Sequence, residues 1–327
     1  MPLCGVLQIE GTETGYPIVD AVARMTPALA HRYADWLRAF GLQPPVESAD
    51  PPALQDERTV ESFGFQWNWN SEMRTEADLN WRVASRFGME PSGFVGRTVL
   101  DAGAGAGDQS RWLVQHGASV VSVDLSSAID VVAAKLRLSP HWVGVQGDLA
   151  ALPFEEGQFD FVYCEGVIQH TSDSARTVRQ LSRALRQGGE ILATHYDKPQ
   201  RFVGRVRHAY QEALRSRLSR WNHQRLLLLA GNLAALAHLP VIGSLVAKSG
   251  TAIRYSLMPD FKTTWTNTYD FYGPHAFQRY VDSDEFWSYF QRLGDVESVY
   301  RSGTVVRARR IRAMAQVGAP DREERAR

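Results

Sequence analysis

From Thr98 onward, apolar runs and stretches of helical period alternate along the chain. The runs TVLDA, SVVSVD, HWVGVQ, FDFVYC and GEILATHY are set off by Gly, Asp or Pro. Between them, residues 109–116, 128–138 and 174–187 repeat apolar positions at the spacing of one helix face. Such alternation predicts a parallel sheet with crossover helices, in which ligands sit at the carboxyl ends of the strands. RQGGE at 186–190 stops a helix and leads into a strand. The ending DVESVYRSGTVVRARRIRAM alternates on both sides of RSG and predicts an antiparallel hairpin.

On either side of this core the rhythm changes. The first ninety residues read as irregular: a small module over 1–42, then the Pro-rich linker QPPVESADPPALQDE, the aromatic stretch ESFGFQWNWNSE and a helical pattern over 76–87. Residues 43–95 are expected to link that module to the core and to cover its ligand. After a core of 96–197, residues 198–282 read as an inserted cap, helical and Arg-rich at first, then aromatic. Residues 283–315 return to the core, and the charged tail 316–327 is expected to be disordered. Within the cap, LLLLAGNLAALAHLPVIGSLVA at 226–247 is long enough to cross a bilayer. Asn232, His238 and Pro240 interrupt it, so a buried helical insert is expected, ahead of a surface that meets lipid.

Composition narrows the function without naming it. The 327 residues carry 36 basic and 36 acidic side chains, so no global charge favours nucleic acid or an anionic membrane, and no nucleic-acid partner is expected. Two distant cysteines, Cys4 and Cys164, give no disulfide framework. The N-terminus lacks a basic segment followed by an apolar one, so a cytoplasmic location is the expectation.

The candidate chemistry begins at VLDAGAGAGD. Gly103, Gly105 and Gly107 form G-x-G-x-G, and Asp108 stands where a dinucleotide site wants its third glycine. A carboxylate there opposes a pyrophosphate, and no Lys-Ser or Lys-Thr follows to make a P-loop. Asp101 and Asp108 instead suit a ligand with cationic groups. Asp124 closes the next strand, where a carboxylate accepts ribose hydroxyls, a role shared with nicotinamide sites.

The discriminating stretch is GDLAALPFEEGQFDFVYCEGVIQHTSD. With VLDAGAGAG, VVSVDLS and LRQGGEILATHY, it resembles the class I S-adenosylmethionine-dependent methyltransferases over about residues 96–196 and the closing hairpin. The resemblance implies a Rossmann-like, doubly wound α/β fold, its mostly parallel sheet of seven strands ending in an antiparallel hairpin. It also implies S-adenosylmethionine as cofactor. Asp101 and Gly103 would face the methionine amino group, with Gly105 and Gly107 letting the backbone approach. Asp124 and Leu125 would bind ribose, and Asp148 and Leu149 adenine. GYPIVDAVARMTP further resembles the end of the zinc-ribbon module that precedes some methyltransferases, as do ESFGFQWNWN and TYDFYGP elsewhere in those proteins. Only Cys4 is kept there, so that module is expected to be degenerate and metal-free.

Methyl transfer is an in-line displacement in which the protein mainly aligns the reacting atoms. His170, Gln169 and His195 are the candidate base or orienting residues, and Glu165 is read as a partner for the cofactor ammonium. Tyr196, Tyr269, Tyr272 and His275 are candidates for substrate contact, and Trp67 and Trp69 for a roof over the cofactor. No cluster with metal-ligand spacing appears, so metal-independent transfer is expected. The acceptor is expected to be a small molecule or glycan precursor in secondary-metabolite or polysaccharide biosynthesis, methylated on oxygen ahead of nitrogen or carbon. The rivals are a non-catalytic S-adenosylmethionine-binding partner protein and an NAD-dependent enzyme.

Overall fold

The computed structural model describes residues 4–46, 57–254, 260–275 and 277–311. Five parallel strands carry the fold: β4 (Thr98–Ala102), β5 (Ser119–Asp124), β6 (Trp142–Gln146), β7 (Phe159–Cys164) and β8 (Leu185–Thr194). Helices α5 (Asp108–Gln115), α6 (Ala128–Leu136) and α7 (Ser174–Ala184) join them. Along β4, Val99 enters the core on one face of the sheet and Leu100 the core on the other. This two-sided burial is why these strands read as apolar runs rather than as strict alternation. The closing hairpin, β11 (Val296–Ser302) and β12 (Val305–Arg310), follows α12 (Ser283–Gln291) and adds antiparallel to β8.

The sheet is wider than expected. Its order is β1-β2-β3-β6-β5-β4-β7-β8-β12-β11, ten strands rather than seven. The extra three are β1 (Cys4–Gln8), β2 (Gly15–Val19) and β3 (Val22–Arg24), from a region read as irregular. β3 pairs parallel with β6, so the N-terminal segment continues the central sheet. Arg24 fixes that junction: its buried guanidinium donates to Gln146 Oε1 at 2.8 Å and to Asp130 Oδ1 at 2.6 Å. Pairing also removes a bare edge from β6. Short helices α1 (Pro27–Arg32) and α2 (Ala34–Ala39) follow, with Leu37 and Leu42 packed beneath them.

The aromatic stretch is helical, as α3 (Glu57–Trp69), and α4 (Glu76–Trp81) runs on into a π-helical turn over Arg82–Arg86. Most of the Pro-rich linker and the charged tail lie outside the described residues. The cap holds α8 (Phe202–Leu218), α9 (His223–Ala237), α10 (Ile242–Ser249) and α11 (Phe261–Tyr272), between β9 (Tyr196–Asp197) and β10 (Tyr280–Val281), which pair with each other. The 226–247 segment is therefore two helices with a turn. Its Leu226, Ala230 and Ala234 are buried, but Leu228, Leu239, Val241 and Leu245 are exposed, so the expected buried insert is buried on one side only. No described helix is long and apolar enough to cross a membrane.

Candidate active site

Strand order reverses at β4, with β5 on one side and β7 on the other, and the crevice at their carboxyl ends opens into a cavity of about 810 Å³. The glycine loop forms one wall. Gly103 and Gly107 both have φ of +80°, and a Cβ on Gly103 would stand 2.3 Å from Val167 Cγ2. Gly103 N and Ala104 N donate to the Val123 carbonyl, so the loop is clamped to the end of β5. Trp67 lies against Gly105 and lines the cavity.

Asp124 also lines the cavity, and its carboxylate accepts from Gly105 N at 2.9 Å, Ser126 N at 2.9 Å and Ser126 Oγ at 2.7 Å. Burial raises its pKa, and these three donors oppose the rise. Leu125 and Leu149 line the cavity as well. Asp148 caps the short helical turn after β6 by accepting from Ala150 N, and lies outside the cavity lining.

The two acids read as suited to a cationic ligand have protein partners. Asp101 is buried outside the lining and accepts from Ser110 Oγ; burial, opposed by that bond, raises its pKa to about 7. Asp108 accepts from Met73 N at 2.8 Å and Arg74 N at 2.9 Å, with Lys135 Nζ at 3.5 Å. It thereby ties the segment after α3 over the glycine loop.

Glu165 sits in a basic nest. Arg82 Nη1 at 2.7 Å and Arg86 Nη1 both donate to Oε1, Tyr163 Oη donates to Oε2 at 3.0 Å, and Arg74 Nη1 lies 3.6 Å away. Burial alone would raise the pKa of Glu165, but the three guanidiniums more than reverse this and hold it at about 2. The carboxylate that sequence reasoning offered to an ammonium is thus already surrounded by cations. Three guanidiniums against one carboxylate leave positive charge over. Burial and the neighbouring Arg82 lower the pKa of Arg74, as repulsion within a cationic cluster requires. All three arginines line the cavity.

At the far wall stand Phe63, His170, His195, Tyr196, Asp270 and Tyr280. His170 Nδ1 donates to the Phe277 carbonyl at 2.9 Å; a carbonyl only accepts, so Nε2 is left as the ring's acceptor. Burial, reinforced by His275, lowers the pKa of His170 to about 3, so the ring is neutral at pH 7. Burial likewise lowers His195 to about 4. Phe63 stacks on His275 at 4.5 Å and meets His170 edge-on at 5.2 Å.

Five further candidates, Gln169, Tyr269, Tyr272, His275 and Trp69, lie away from the lining. Gln169 is fully buried with neither amide atom hydrogen-bonded. Tyr269 donates to His223 Nδ1 at 2.7 Å and packs, with Tyr272, in the core of the cap. His275 Nε2 donates to the Asp270 carbonyl at 2.7 Å and buttresses His170 and Phe63 from behind. Trp69 packs on Trp265 in the cap rather than over the loop.

Residues 100–193 match the family model described as Methyltransferase domain. Over those residues this chain is similar to a methyltransferase domain. A Ubiquinone biosynthesis O-methyltransferase of Pseudomonas paraeruginosa is 33% identical over 144 residues, 42% of this chain and 60% of that protein. A Malonyl-[acyl-carrier protein] O-methyltransferase of Enterobacter lignolyticus is 35% identical over 29% of this chain and 38% of its own length. Among solved structures, an S-adenosylmethionine dependent methyltransferase from Mesorhizobium loti aligns with 27% identity, 37% of this chain, 56% of that one and a TM-score of 0.33. The chain thus spans little more than half the length of these relatives, or less.

The cofactor of such a domain is S-adenosylmethionine, and the donor set fits it. Asp124 and the loop backbone offer acceptors and donors for a ribose, and the arginine surplus suits a carboxylate. Sequence reasoning missed Phe63, Arg74, Arg82, Arg86, Asp270 and Tyr280. Arg82 and Arg86 sit four apart on one helical face just before the glycine loop, a spacing that places both heads together. Nothing local marked the others, which reach the cavity only through tertiary packing.

Proposed function

We propose that the chain transfers a methyl group from S-adenosylmethionine to an oxygen of a small-molecule acceptor, with the cap selecting that acceptor. The observation that carries this reading is a single cavity lined both by the glycine loop and Asp124 and by His170, Tyr196 and Phe63. S-adenosylmethionine supplies a methyl group activated on a sulfonium. Asp124 would hold the ribose hydroxyls, Leu125 and Leu149 the faces and edge of the nucleoside, and Trp67 the roof. The carboxylate of the methionine tail would meet Arg74, Arg82 and Arg86.

His170 then orients the acceptor by taking a hydrogen bond at Nε2. A phenol of pKa about 10 facing a base of pKa about 3 would have to cross seven units, or about 10 kcal/mol, to transfer its proton outright. The ring therefore positions the hydroxyl, whose proton passes along that hydrogen bond to Nε2 only as the oxygen–methyl bond forms and the sulfur–methyl bond breaks, since the oxygen becomes strongly acidic at that point. Holding the acceptor in line supplies the rest, since orientation can contribute several kcal/mol. The aromatic wall suits a planar or glycan-like precursor in a biosynthetic route, and two named O-methyltransferases among the relatives support oxygen. The N-terminal segment reads as a zinc-ribbon-like module that has lost its ligands and survives as strands on the sheet edge.

Calorimetric titration with S-adenosylhomocysteine tests the cofactor assignment. Asp124→Ala should weaken binding about 10- to 100-fold, the loss of one or two charge-assisted hydrogen bonds. Equal affinity would sink the assignment. Labelled S-adenosylmethionine with cell extract then reports the acceptor.

A further inference from the structure

The cap presents an unusual outer face. From Arg201 to Lys248 the chain has seven arginines and one lysine against a single acid, Glu212, although the whole chain is formally neutral. Glu212 pairs with Arg215, and among the described residues Arg201, Arg205, Arg220 and Arg225 form no salt bridge. Apolar side chains interleave with these cations. On α8, Phe202, Val203, Val206 and Tyr210 recur along one exposed stripe, and on α9 Leu228 and Leu236 are exposed on one side.

Helix α9 leads into the turn before α10. Leu239, Val241, Ile242 and Leu245 are all exposed there, Val241 at 82%. Val241 has φ of +65°, a conformation that a β-branched residue holds only under constraint, and its side chain is turned outward. This turn borders a surface hollow of about 600 Å³, one of whose walls is Arg254. Arg254 also lines the central cavity.

We propose that this face of α8, α9 and α10 docks on an anionic lipid bilayer, with the α9–α10 turn seated in the headgroup layer. Apolar side chains set among cations match such a surface in both chemistries, whereas a protein partner would need an acidic face of its own to answer the arginines. Helices of 15 and 8 residues cannot span a bilayer, so the contact is peripheral. Because Arg254 is common to the hollow and the cavity, docking sets the cavity mouth beside the lipid, where an acceptor with an apolar tail would reside.

Co-sedimentation of the full chain with vesicles of phosphatidylcholine alone, or mixed with phosphatidylglycerol, tests this without requiring methyl transfer. Binding is expected to the mixed vesicles, to fall as salt rises, and to drop at least about tenfold in Leu239→Glu/Leu245→Glu and in Arg205→Glu/Arg220→Glu. Both pairs are exposed, and circular dichroism with S-adenosylhomocysteine binding would verify that each variant folds. Absence of binding to mixed vesicles, or undiminished binding by both folded variants, overturns the proposal. So does self-association that Leu239→Glu/Leu245→Glu abolishes in a chain that ignores lipid, since the face would then be covered by a second copy.

Discussion

Replacing Glu165 by Gln removes the one carboxylate that holds Arg74, Arg82 and Arg86 together. Glu165 is buried, and its pKa falls from 4.5 to about 2 in the fold. Such a depression corresponds to about 3 kcal/mol of native-state stabilisation at neutral pH. The sign follows from linkage. A depressed carboxylate stabilises above its unfolded pKa, and the contribution is lost as pH falls toward the folded value. Most of this contribution should persist at pH 4 and less than half at pH 3. Urea unfolding followed by circular dichroism should show Glu165→Gln less stable than wild type by about 3 kcal/mol at pH 7, within the range for breaking a buried pair. The gap should narrow below pH 4.5. Equal stability at pH 7, or a gap constant down to pH 3, would refute the view that Glu165 is the counter-ion of this nest. Added S-adenosylhomocysteine should narrow the gap if its carboxylate meets the same guanidiniums.

Two further perturbations read other parts of the site. His170 and His195 are held neutral by burial, with pKa values of about 3 and about 4. Unfolding therefore takes up protons as pH drops below about 6.5, and between roughly pH 6 and 4 stability should fall by at most about 3 kcal/mol per pH unit from these two rings. A His170→Gln/His195→Gln variant with the same slope would contradict their neutrality. Gly103→Ala combines a positive φ with a Cβ 2.3 Å from Val167, whereas Gly41, φ +72°, has nothing within 4 Å. Gly41→Ala should cost about 1 kcal/mol and leave the cofactor site intact. Gly103→Ala should cost about 2–4 kcal/mol and weaken S-adenosylhomocysteine binding. Matching thermal melts for the two would show that the loop yields.

The core was legible because its signals are local and repeated. Each parallel strand is buried on both faces, so apolar runs mark it, and the turns after β4 and β5 require the residues found there. Gly103 needs a left-handed backbone, and Asp124 has its partners within the loop it faces. The N-terminal strands escaped notice for the opposite reason. β3 is three residues long and is a strand only because β6 offers it an edge, with Arg24 reaching Gln146 across 122 positions.

The sequence by itself determined the order of strands and helices from β4 to β8, the glycine loop, and the acid that closes β5, since short-range periodicity and backbone chirality are properties of neighbouring residues. Tertiary structure alone decided the charges. Asp101 and Asp108, which stand beside the loop in sequence, are consumed by Ser110 and by the backbone of Met73 and Arg74. Glu165 is claimed by arginines about eighty positions away, and Tyr269 and Tyr272 turn into the cap. A charge or ring acts through whatever lies within a few ångströms of it, and in a sheet built from distant strands those neighbours come from elsewhere in the chain.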